Sequence, residues 1–416
     1  MSIQNTDEAT EPYPSPTRKW RALLVIAVAE LLAMSLWFSA TASAPELAAA
    51  WNLTSSETAW LTIAVQLGFV VGALLSAVLT LPDIVQSRYL IAGSAMVGAL
   101  TTAIIAGFVT TPIPAIALRF LTGVALAGVY PPGMKLMSGW FRTNRGFAIG
   151  VLVGALTVGS ALPHLLRAVG GVGQPRVVLY GSAGLAVLGG LSVLAVENGP
   201  YQSPTAPFDP NAVRRILEDR PTLLANGGYF GHMWELYAVW TWIPTYLLVS
   251  FTTTGTTVPS ELTSILAFCT IAIGGAGAMV AGLLADRLGR TTVTSASMVV
   301  SGIACVSAGV VFGSSLLVMV PFLLVWGFAI VADSAQFSTC VTELAEPSYV
   351  GTALTLQTSI GFLLTTVSIQ SIPVVADSVG WQWAFAPLAI GPAVGTWAML
   401  RLRGLPAARK LADGNR

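Results

Sequence analysis

The stretch Glu30-Leu31-Leu32-Ala33-Met34-Ser35-Leu36-Trp37 lies in the first long apolar run and places a carboxylate among hydrophobic side chains. A related stretch, Glu235-Leu236-Tyr237-Ala238-Val239-Trp240-Thr241-Trp242, repeats its Glu, Leu, Ala and Trp at a constant shift of 205 positions. This shift is about half of the 416 residues. We therefore interpret the chain as two parallel copies of one membrane unit, each with a glutamate buried in it.

The composition is that of a membrane protein. Hydrophobic residues make up 54% of the chain and charged residues only 9%, whereas soluble domains carry about 25% charged residues. Apolar runs of about 20 residues are long enough to cross a bilayer as helices. The net charge is +1 and no basic stripe is present, which argues against nucleic-acid binding.

We predict an all-α membrane fold of twelve transmembrane helices in two pseudo-symmetric six-helix bundles. The predicted domains are a disordered cytoplasmic tail (1–19), an N-terminal bundle (20–196), a cytoplasmic linker with a short amphipathic helix (197–220), a C-terminal bundle (221–402) and a second tail (403–416). The predicted spans are 20–42, 57–80, 89–109, 113–136, 145–167, 177–196, 222–249, 261–284, 293–312, 315–337, 350–373 and 381–401.

The positions of Lys and Arg predict the orientation. With the N-terminus inside, almost all cations between the spans fall on the inner side, whereas the outer side receives Arg176, with Arg167 near the outer end of span 5. Cytoplasmic loops of membrane proteins carry this excess of positive charge. We expect a multi-pass protein of the cell inner membrane with both termini in the cytoplasm.

Two motifs carry a resemblance to a known family. Gly282-Leu283-Leu284-Ala285-Asp286-Arg287-Leu288-Gly289-Arg290 is similar to the loop motif G-x-x-x-D-R-x-G-R of the major facilitator superfamily, and the loop after span 2 keeps Asp83 and a displaced Arg88. Arg119, Gly123 and Ala127 resemble the pattern of that family's fourth span. The resemblance covers the chain from residue 20 onward. It implies alternating access through a path lined by spans 1, 4, 7 and 10.

The junction of spans 4 and 5 resembles a prokaryotic branch of that family, the anion and organic-anion carriers. The similar residues are Tyr130-Pro131-Pro132-Gly133, Trp140-Phe141 and Arg145-Gly146. Nitrate is disfavoured, because spans 2 and 8 lack the arginines that nitrate carriers are expected to have. Ala155 follows Gly154 where many antiporters have proline, which argues against antiport.

Ionisable residues inside the membrane are the main functional signal. A charge near mid-bilayer costs about 3 kcal/mol unless it meets a partner or water. Glu30 lies about 15 Å into span 1 and Glu235 about 20 Å into span 7, at 1.5 Å per residue. We predict proton coupling at Glu30, Glu235 and His232, since a carboxylate beside an imidazole can hold and pass a proton. The alternative is that each glutamate bonds across a helix interface and never titrates.

The remaining candidates line the path or close it. Arg119 has two interpretations. It binds an anion, which is the substrate or a carboxylate such as Glu30, or it holds helices together. The other predicted substrate-binding residues are Trp37, Gln66, Tyr130, Tyr229, Tyr237, Trp242 and Gln357, with packing between helices as the alternative for each aromatic ring. The predicted gating residues are Asp83, Asp286, Arg287, Arg290 and Asp333, with Asp333 near the inner end of span 10.

These observations predict a secondary active transporter, coupled to protons, for a small organic anion or polar metabolite. Proton-driven efflux of drugs or amphipathic metabolites is the alternative. We expect no cofactor and no metal site, since Cys269, Cys305 and Cys340 lie in apolar runs without metal-ligand spacing. A membrane enzyme is disfavoured, because the two histidines, His164 and His232, lie in different halves. The expected partners are the substrate, protons and the lipid bilayer, with the chain as a monomer.

Overall fold

The computed structural model describes residues 16–141, 145–201, 209, 211–255 and 258–415. Every regular element in these ranges is helical. The first half contains α1 (Pro16–Met34), α2 (Ser39–Ala42), α3 (Ala44–Trp51), α4 (Ser55–Val78), α5 (Leu81–Ile84), α6 (Ser87–Phe108), α7 (Pro112–Leu126), α8 (Tyr130–Ser138), α9 (Arg145–Leu166) and α10 (Pro175–Ser192). A π-helical turn over Arg167–Gly171 extends α9, and a 3₁₀ turn over Val193–Ala195 extends α10.

The second half repeats this organisation. It contains α11 (Ala212–Glu218), α12 (Arg220–Thr253), α13 (Ser260–Leu288), α14 (Arg290–Val311), α15 (Leu316–Ala332), α16 (Ser334–Leu344), α17 (Val350–Val379) and α18 (Ile390–Arg403). Short 3₁₀ turns lie at Pro347–Tyr349, Trp381–Trp383 and Ala386–Ala389, and a longer one at Pro406–Gly414. Helix α11 is the short helix expected in the linker, and it buries Ala212 and Ile216.

The helices group into the twelve expected spans. Span 1 is α1 to α3, spans 2 and 3 are α4 and α6, span 4 is α7 with α8, and spans 5 and 6 are α9 and α10. Spans 7 to 9 are α12 to α14, span 10 is α15 with α16, and spans 11 and 12 are α17 and α18. Ten stretches of the described chain are long and apolar enough to cross a membrane. Spans 1 and 7 are not among them, since the 19 residues of α1 include Arg18, Lys19, Arg21 and Glu30, and span 7 contains polar residues such as Asn226, His232 and Glu235.

Local sequence signals set several helix ends. Helix α4 begins with a capping box, in which the Thr54 hydroxyl accepts from the Glu57 N–H and the Glu57 carboxylate accepts from the Thr54 N–H. Pro112 and Pro175 occupy the first turns of α7 and α10, where no N–H partner is needed. Helix α13 stops at Gly289, whose φ of 92° suits a residue without a side chain.

Three spans are interrupted in the membrane. Span 1 is not helical over residues 35–38, span 4 is not helical over residues 127–129, and span 10 is broken at Asp333. In span 4 the Pro131-Pro132 pair begins a new helix, because proline suits the first turn and disrupts later ones. These breaks place main-chain polar groups and buried side chains at mid-depth.

The two halves meet along spans 5 and 8 and along spans 2 and 11. Small residues allow a close approach on the first pair: a Cβ at Gly154 would lie 3.1 Å from the Gly275 carbonyl, and a Cβ at Gly150 would lie 3.3 Å from the Ala278 carbonyl. Close backbone packing of this kind holds membrane helices together. On the second pair, the rings of Phe69 and Phe362 are 4.7 Å apart.

The first and the last described residues lie at the same end of the bundle, called the inner end below. Trp20 packs against Phe147 near the start of span 5. Gly146, the residue before Phe147, faces Asp286 at the end of span 8, and the Asp286 carbonyl accepts a hydrogen bond from the Asn415 side chain at 3.1 Å. The tail predicted over 1–19 needs correction, since α1 already begins at Pro16; residues 1–15 lie outside the described ranges.

Candidate functional site

Arg119 fastens the broken part of span 1. The side chain is fully buried, and Nη1 donates to the Leu36 carbonyl at 2.8 Å and to Ser39 Oγ at 3.2 Å. Nη2 donates to the Trp37 carbonyl, and Nε donates to the Leu61 carbonyl at 3.1 Å. The guanidinium therefore joins span 4 to spans 1 and 2. These contacts favour the helix-holding interpretation over binding of an anion or of Glu30.

An aromatic cluster lies where the two halves meet. Its members come from spans 1, 2, 7 and 11, and we call Trp37, Phe38, Phe69, Tyr237, Trp240 and Phe362 the central aromatic cluster. The Trp37 ring centroid is 5.0 Å from that of Phe69, 5.8 Å from that of Tyr237 and 5.5 Å from that of Phe362. Tilted contacts at these distances are favourable for aromatic rings. A molecule that passes between the halves must part these rings.

Glu30 lies on the inner side of this cluster. The side chain is 2% exposed, and a Cβ at Gly133 on span 4 would lie 3.2 Å from Oε2. Tyr130 is close enough to interact electrostatically with both Glu30 and Tyr229. Neither Glu30 oxygen has a hydrogen-bond partner among the described residues. A buried carboxylate thus lies beside Tyr130 without a hydrogen bond, and Tyr130 in turn lies near Tyr229 of the second half.

Other unpartnered polar atoms lie near the cluster. Gln66 is fully buried, and neither its amide nitrogen nor its amide oxygen has a partner within the described chain. It precedes Phe69 by three residues on α4 and so shares its helical face. The indole nitrogen of Trp37 is also unpartnered there. An unsatisfied buried polar group costs about 1–3 kcal/mol, so these atoms are available to a ligand.

His232 and Glu235 are three residues apart but contact different helices. His232 Nδ1 lies 2.9 Å from Asp333 Oδ1 on span 10. This distance suits a hydrogen bond, but the two atoms do not satisfy its geometry, so we describe the pair as a buried electrostatic contact. Glu235 accepts from Ser301 Oγ at 2.6 Å and from Cys305 Sγ at 3.2 Å, both on span 9. Glu235 therefore bonds inside the second bundle.

The predicted position of Asp333 is wrong. It was expected near the inner end of span 10, but that span continues through α16 to Leu344. Asp333 is 1% exposed and lies between α15 and α16, inside the bundle. The error arises because α16 carries polar residues such as Ser338 and Glu343, so the end of the span was predicted too early in the sequence.

Two of the predicted substrate-binding residues, Trp242 and Gln357, form hydrogen bonds within the second bundle. Trp242 donates from Nε1 to the Ile369 carbonyl at 2.9 Å, which joins span 7 to span 11. Gln357 donates from Nε2 to Asn226 Oδ1 at 2.9 Å and accepts from Ser338 Oγ at 3.1 Å. Both side chains connect helices in this conformation.

A charged cluster ties spans 8, 9 and 10 together at the inner end. Arg290 donates to both carboxylate oxygens of Glu343, from Nε at 2.8 Å and from Nη2 at 2.6 Å. Its Nη1 donates to Gln336 Oε1 at 2.9 Å and lies 3.4 Å from Asp286 Oδ1. Bidentate pairs of this kind are among the stronger ionic contacts in proteins.

Asp286 connects this charged cluster to the first half. A Cβ at Gly146 would lie 3.2 Å from Asp286 Oδ2, so the carboxylate packs against the first turn of α9. The positive end of a helix dipole attracts a carboxylate there. Arg287, the next residue, is exposed. The Asp83 side chain of the first copy lies outside the described residues; beside it, Lys135 Nζ donates to the Pro82 carbonyl at 2.6 Å.

The segment predicted as a cytoplasmic tail (403–416) packs on the same cluster. The Ala412 N–H donates to Glu343 Oε2 at 3.1 Å, and Asn415 Nδ2 donates to the Asp286 carbonyl. Ala408 and Leu411 are fully buried. The segment is therefore part of the folded inner end and not a free extension.

The sequence and the fold agree on the family. Residues 26–368 match the Major Facilitator Superfamily, which is most of the chain. The chain belongs to the major facilitator superfamily. A solved structure of a mutant of the nucleoside transporter NupG superposes on this member with a TM-score of 0.69 at 16% identity, covering 92% of this chain and 99% of that one. At that identity the likeness shows the fold alone. No curated protein matches the chain.

This superfamily member also has a charged contact at its outer end. Arg167, in the π-helical turn after α9, pairs with Glu46 of α3 through Nη2 and Oε1 at 2.8 Å. Its Nη1 donates to Ser264 Oγ on span 8 at 2.6 Å. Arg167 thus connects the two halves at the outer end, and Asp286 connects them at the inner end.

The sequence carried a signal for some of the residues that the predictions omitted. Trp240 follows Tyr237 by three residues and so lies on the same helical face, which periodicity reveals. Phe69 stands in the same relation to Gln66. Phe362, Glu46 and Ser264 carried no such signal, because their partners are distant in the sequence.

Proposed function

We propose that this transporter is proton-coupled and moves small amphipathic molecules with a planar ring, uncharged or cationic, past the central aromatic cluster. Glu30 is the observation that supports this most directly. It is a buried carboxylate with no hydrogen-bond partner in the described chain, beside Tyr130 on the path between the halves. Of the two functions that the sequence suggested, this corresponds to transport of drugs or amphipathic metabolites.

Glu30 is the proposed proton-binding group. An isolated carboxylate is costly in a low-dielectric interior, and either a proton or a cationic ligand removes that cost. Opening of either end of the path would expose Glu30 to water and allow exchange of its proton. The aromatic rings of Trp37 and Tyr237 would contact a planar ring, and the amide of Gln66 would bond its polar edge.

The organic-anion prediction depended largely on Arg119. Its guanidinium is engaged with main-chain carbonyls, and Arg167 and Arg290 are paired with carboxylates at the two ends of the path. An anion at the central aromatic cluster would meet Glu30 and would gain no cation. A nucleoside has a planar base, but the likeness to a nucleoside transporter extends only to the fold.

The test measures ligand binding and its pH dependence together. Purified protein is screened by thermal shift against ring-containing cations, nucleosides and organic acids, and the stabilising compounds are then tested for uptake by proteoliposomes with and without a pH gradient. We expect ring compounds without negative charge to stabilise the protein. In the variant Glu30→Gln, transport should lose its response to the gradient.

The matched control is Glu235→Gln at the equivalent position of the second half, where a glutamine still accepts from Ser301. This control should keep the response to the gradient. Stabilisation by organic acids alone would contradict the substrate class. An unchanged gradient response in Glu30→Gln would contradict the coupling.

A further inference from the structure

A groove runs along the lipid-facing side of the second half, between spans 8, 9 and 10. It has two sections, with volumes of about 430 Å³ and about 180 Å³. Both are lined by Ala296, Ser297, Phe328 and Ala332, so they form one continuous groove. The larger section has the size of a small-ligand site, which spans roughly 300–1,000 Å³.

The groove arises from small side chains between larger ones. Ala329 and Ala332 form a buried floor, while Val300 and Val325 on either side are exposed. The lining is almost wholly apolar, and its upper section lies at mid-length of α14, at membrane depth. An ordered acyl chain in the groove would replace mobile lipid tails there, and it would pack closely against the apolar lining.

The inner mouth of the groove is positively charged. The lower section ends at Leu288 and Thr292, where span 8 turns into span 9. Arg403, at the end of α18, donates a hydrogen bond to Thr292 Oγ. Arg287 is exposed and directly precedes Leu288. The apolar groove therefore ends beside Arg403, and Arg287 directly precedes Leu288, one of its lining residues.

We propose that this groove binds an anionic phospholipid, with one acyl chain in the groove and the phosphate at Arg403 and Arg287. Basic sites between membrane helices attract the head groups of such lipids. Only a lipid carries both an anion at interface depth and an apolar chain that follows the groove outward. A second copy of this chain could fill the site only if it presented an apolar ridge to the groove and an acidic side chain to Arg403 and Arg287.

The site adjoins the inner charged cluster. Leu288 and Thr292 flank Arg290, which pairs with Glu343. An acyl chain between spans 8, 9 and 10 would hold these helices in their present arrangement. The bound lipid therefore stabilises the closed inner end, whatever molecule the protein transports.

The experiment compares phosphatidylglycerol with phosphatidylcholine of the same chain composition, using the full-length protein in detergent. Native mass spectrometry measures lipid retention and thermal unfolding measures stabilisation. We expect preferential retention of phosphatidylglycerol. Val300→Trp should reduce retention of both lipids, and Arg403→Gln should reduce that of phosphatidylglycerol by about fivefold, the contribution of one surface cation.

Two matched variants control for general effects. Val97→Trp changes an exposed valine on span 3, the equivalent span of the first half, and Arg214→Gln removes an exposed cation from α11. Both should retain phosphatidylglycerol as the parent does. Inorganic phosphate should not displace the lipid, because it lacks the acyl chain.

Three results would overturn the proposal. They are equal retention of the two lipids by the parent, full retention of phosphatidylglycerol by Val300→Trp, and a parent dimer in light scattering that Val300→Trp converts to a monomer. If Val300→Trp does not yield folded protein, the comparison of Arg403→Gln with Arg214→Gln decides, since both positions are exposed. An equal loss in those two variants would contradict the site.

Discussion

Glu30 and Glu235 hold equivalent positions in the two repeats, but only Glu235 accepts hydrogen bonds from other described residues. Ser301 and Cys305 on span 9 donate to Glu235, whereas Glu30 faces Tyr130 and Gly133 on span 4 without a bond. The two equivalent glutamates thus lie in different environments. The second copy ties helices together, and the first keeps a carboxylate beside the path.

This difference predicts opposite effects on stability. Glu30→Leu should raise the melting temperature, because it removes an unpartnered buried carboxylate, a group that costs about 1–3 kcal/mol. Glu235→Leu should lower it by a similar free energy, because the thiol of Cys305 loses its acceptor and the hydroxyl of Ser301 keeps only the Met298 carbonyl of its own helix. Thermal unfolding of both variants in one detergent measures the two shifts. Shifts of the same sign in the two melting temperatures would contradict the view that Glu235 stabilises the fold and Glu30 does not.

Arg119 should not be replaceable by lysine. The guanidinium makes four hydrogen bonds through its three nitrogen atoms, whose N–H groups point in different directions within one plane. A single ammonium cannot reach all four acceptors. We expect Arg119→Lys to lose several kcal/mol of stability and to yield little monodisperse protein by size-exclusion chromatography. A folded Arg119→Lys that has lost only ligand binding would instead indicate contact with substrate.

Ser264 should control opening of the outer end. Ser264→Ala removes the acceptor of Arg167 on the second half but leaves the pair between Arg167 and Glu46 intact. We expect the ratio of outward-open to closed protein to rise about tenfold or more, since a hydrogen bond to a charged group contributes about 1.5–3 kcal/mol and 1.4 kcal/mol is a factor of ten. Distances between spin labels at the outer ends of spans 5 and 8 report this population.

The neighbouring variant Thr263→Ala is the matched control for Ser264→Ala. The hydroxyl of Thr263 bonds to the Ser260 carbonyl within its own helix, so its loss should leave the distance distribution unchanged. If both variants widen the outer end equally, the bond between the halves is not what keeps it closed.

The C-terminal segment should stabilise the closed inner end. Leu411→Asp places a charge in a fully buried position and should release the segment from Glu343. We expect a lower melting temperature and wider spin-label distances between the inner ends of spans 5 and 8. Lys410→Ala, at the exposed neighbouring position, should change neither measurement. Unchanged distances in Leu411→Asp would show that the segment packs there without affecting the gate.

The sequence was sufficient for the architecture. Apolar runs of span length, the shift that relates Glu30 to Glu235, and the motif from Gly282 to Arg290 predicted two six-helix bundles of the major facilitator superfamily, and the structure and the family match confirm that fold. These signals are local or periodic. The need to satisfy main-chain hydrogen bonds in lipid leaves few structures other than helices for such runs.

Only the tertiary structure decided what the buried polar residues contact. The sequence predicted that Arg119, His232 and Glu235 lie inside the membrane, but not that Arg119 binds the main chain of span 1 or that His232 and Glu235 contact different helices. It also did not show the bond from Arg167 to Ser264. The physical reason is that burial follows from the hydropathy of a residue's neighbours in the sequence. A partner instead depends on the rotation and depth of another helix, which packing across the whole bundle determines.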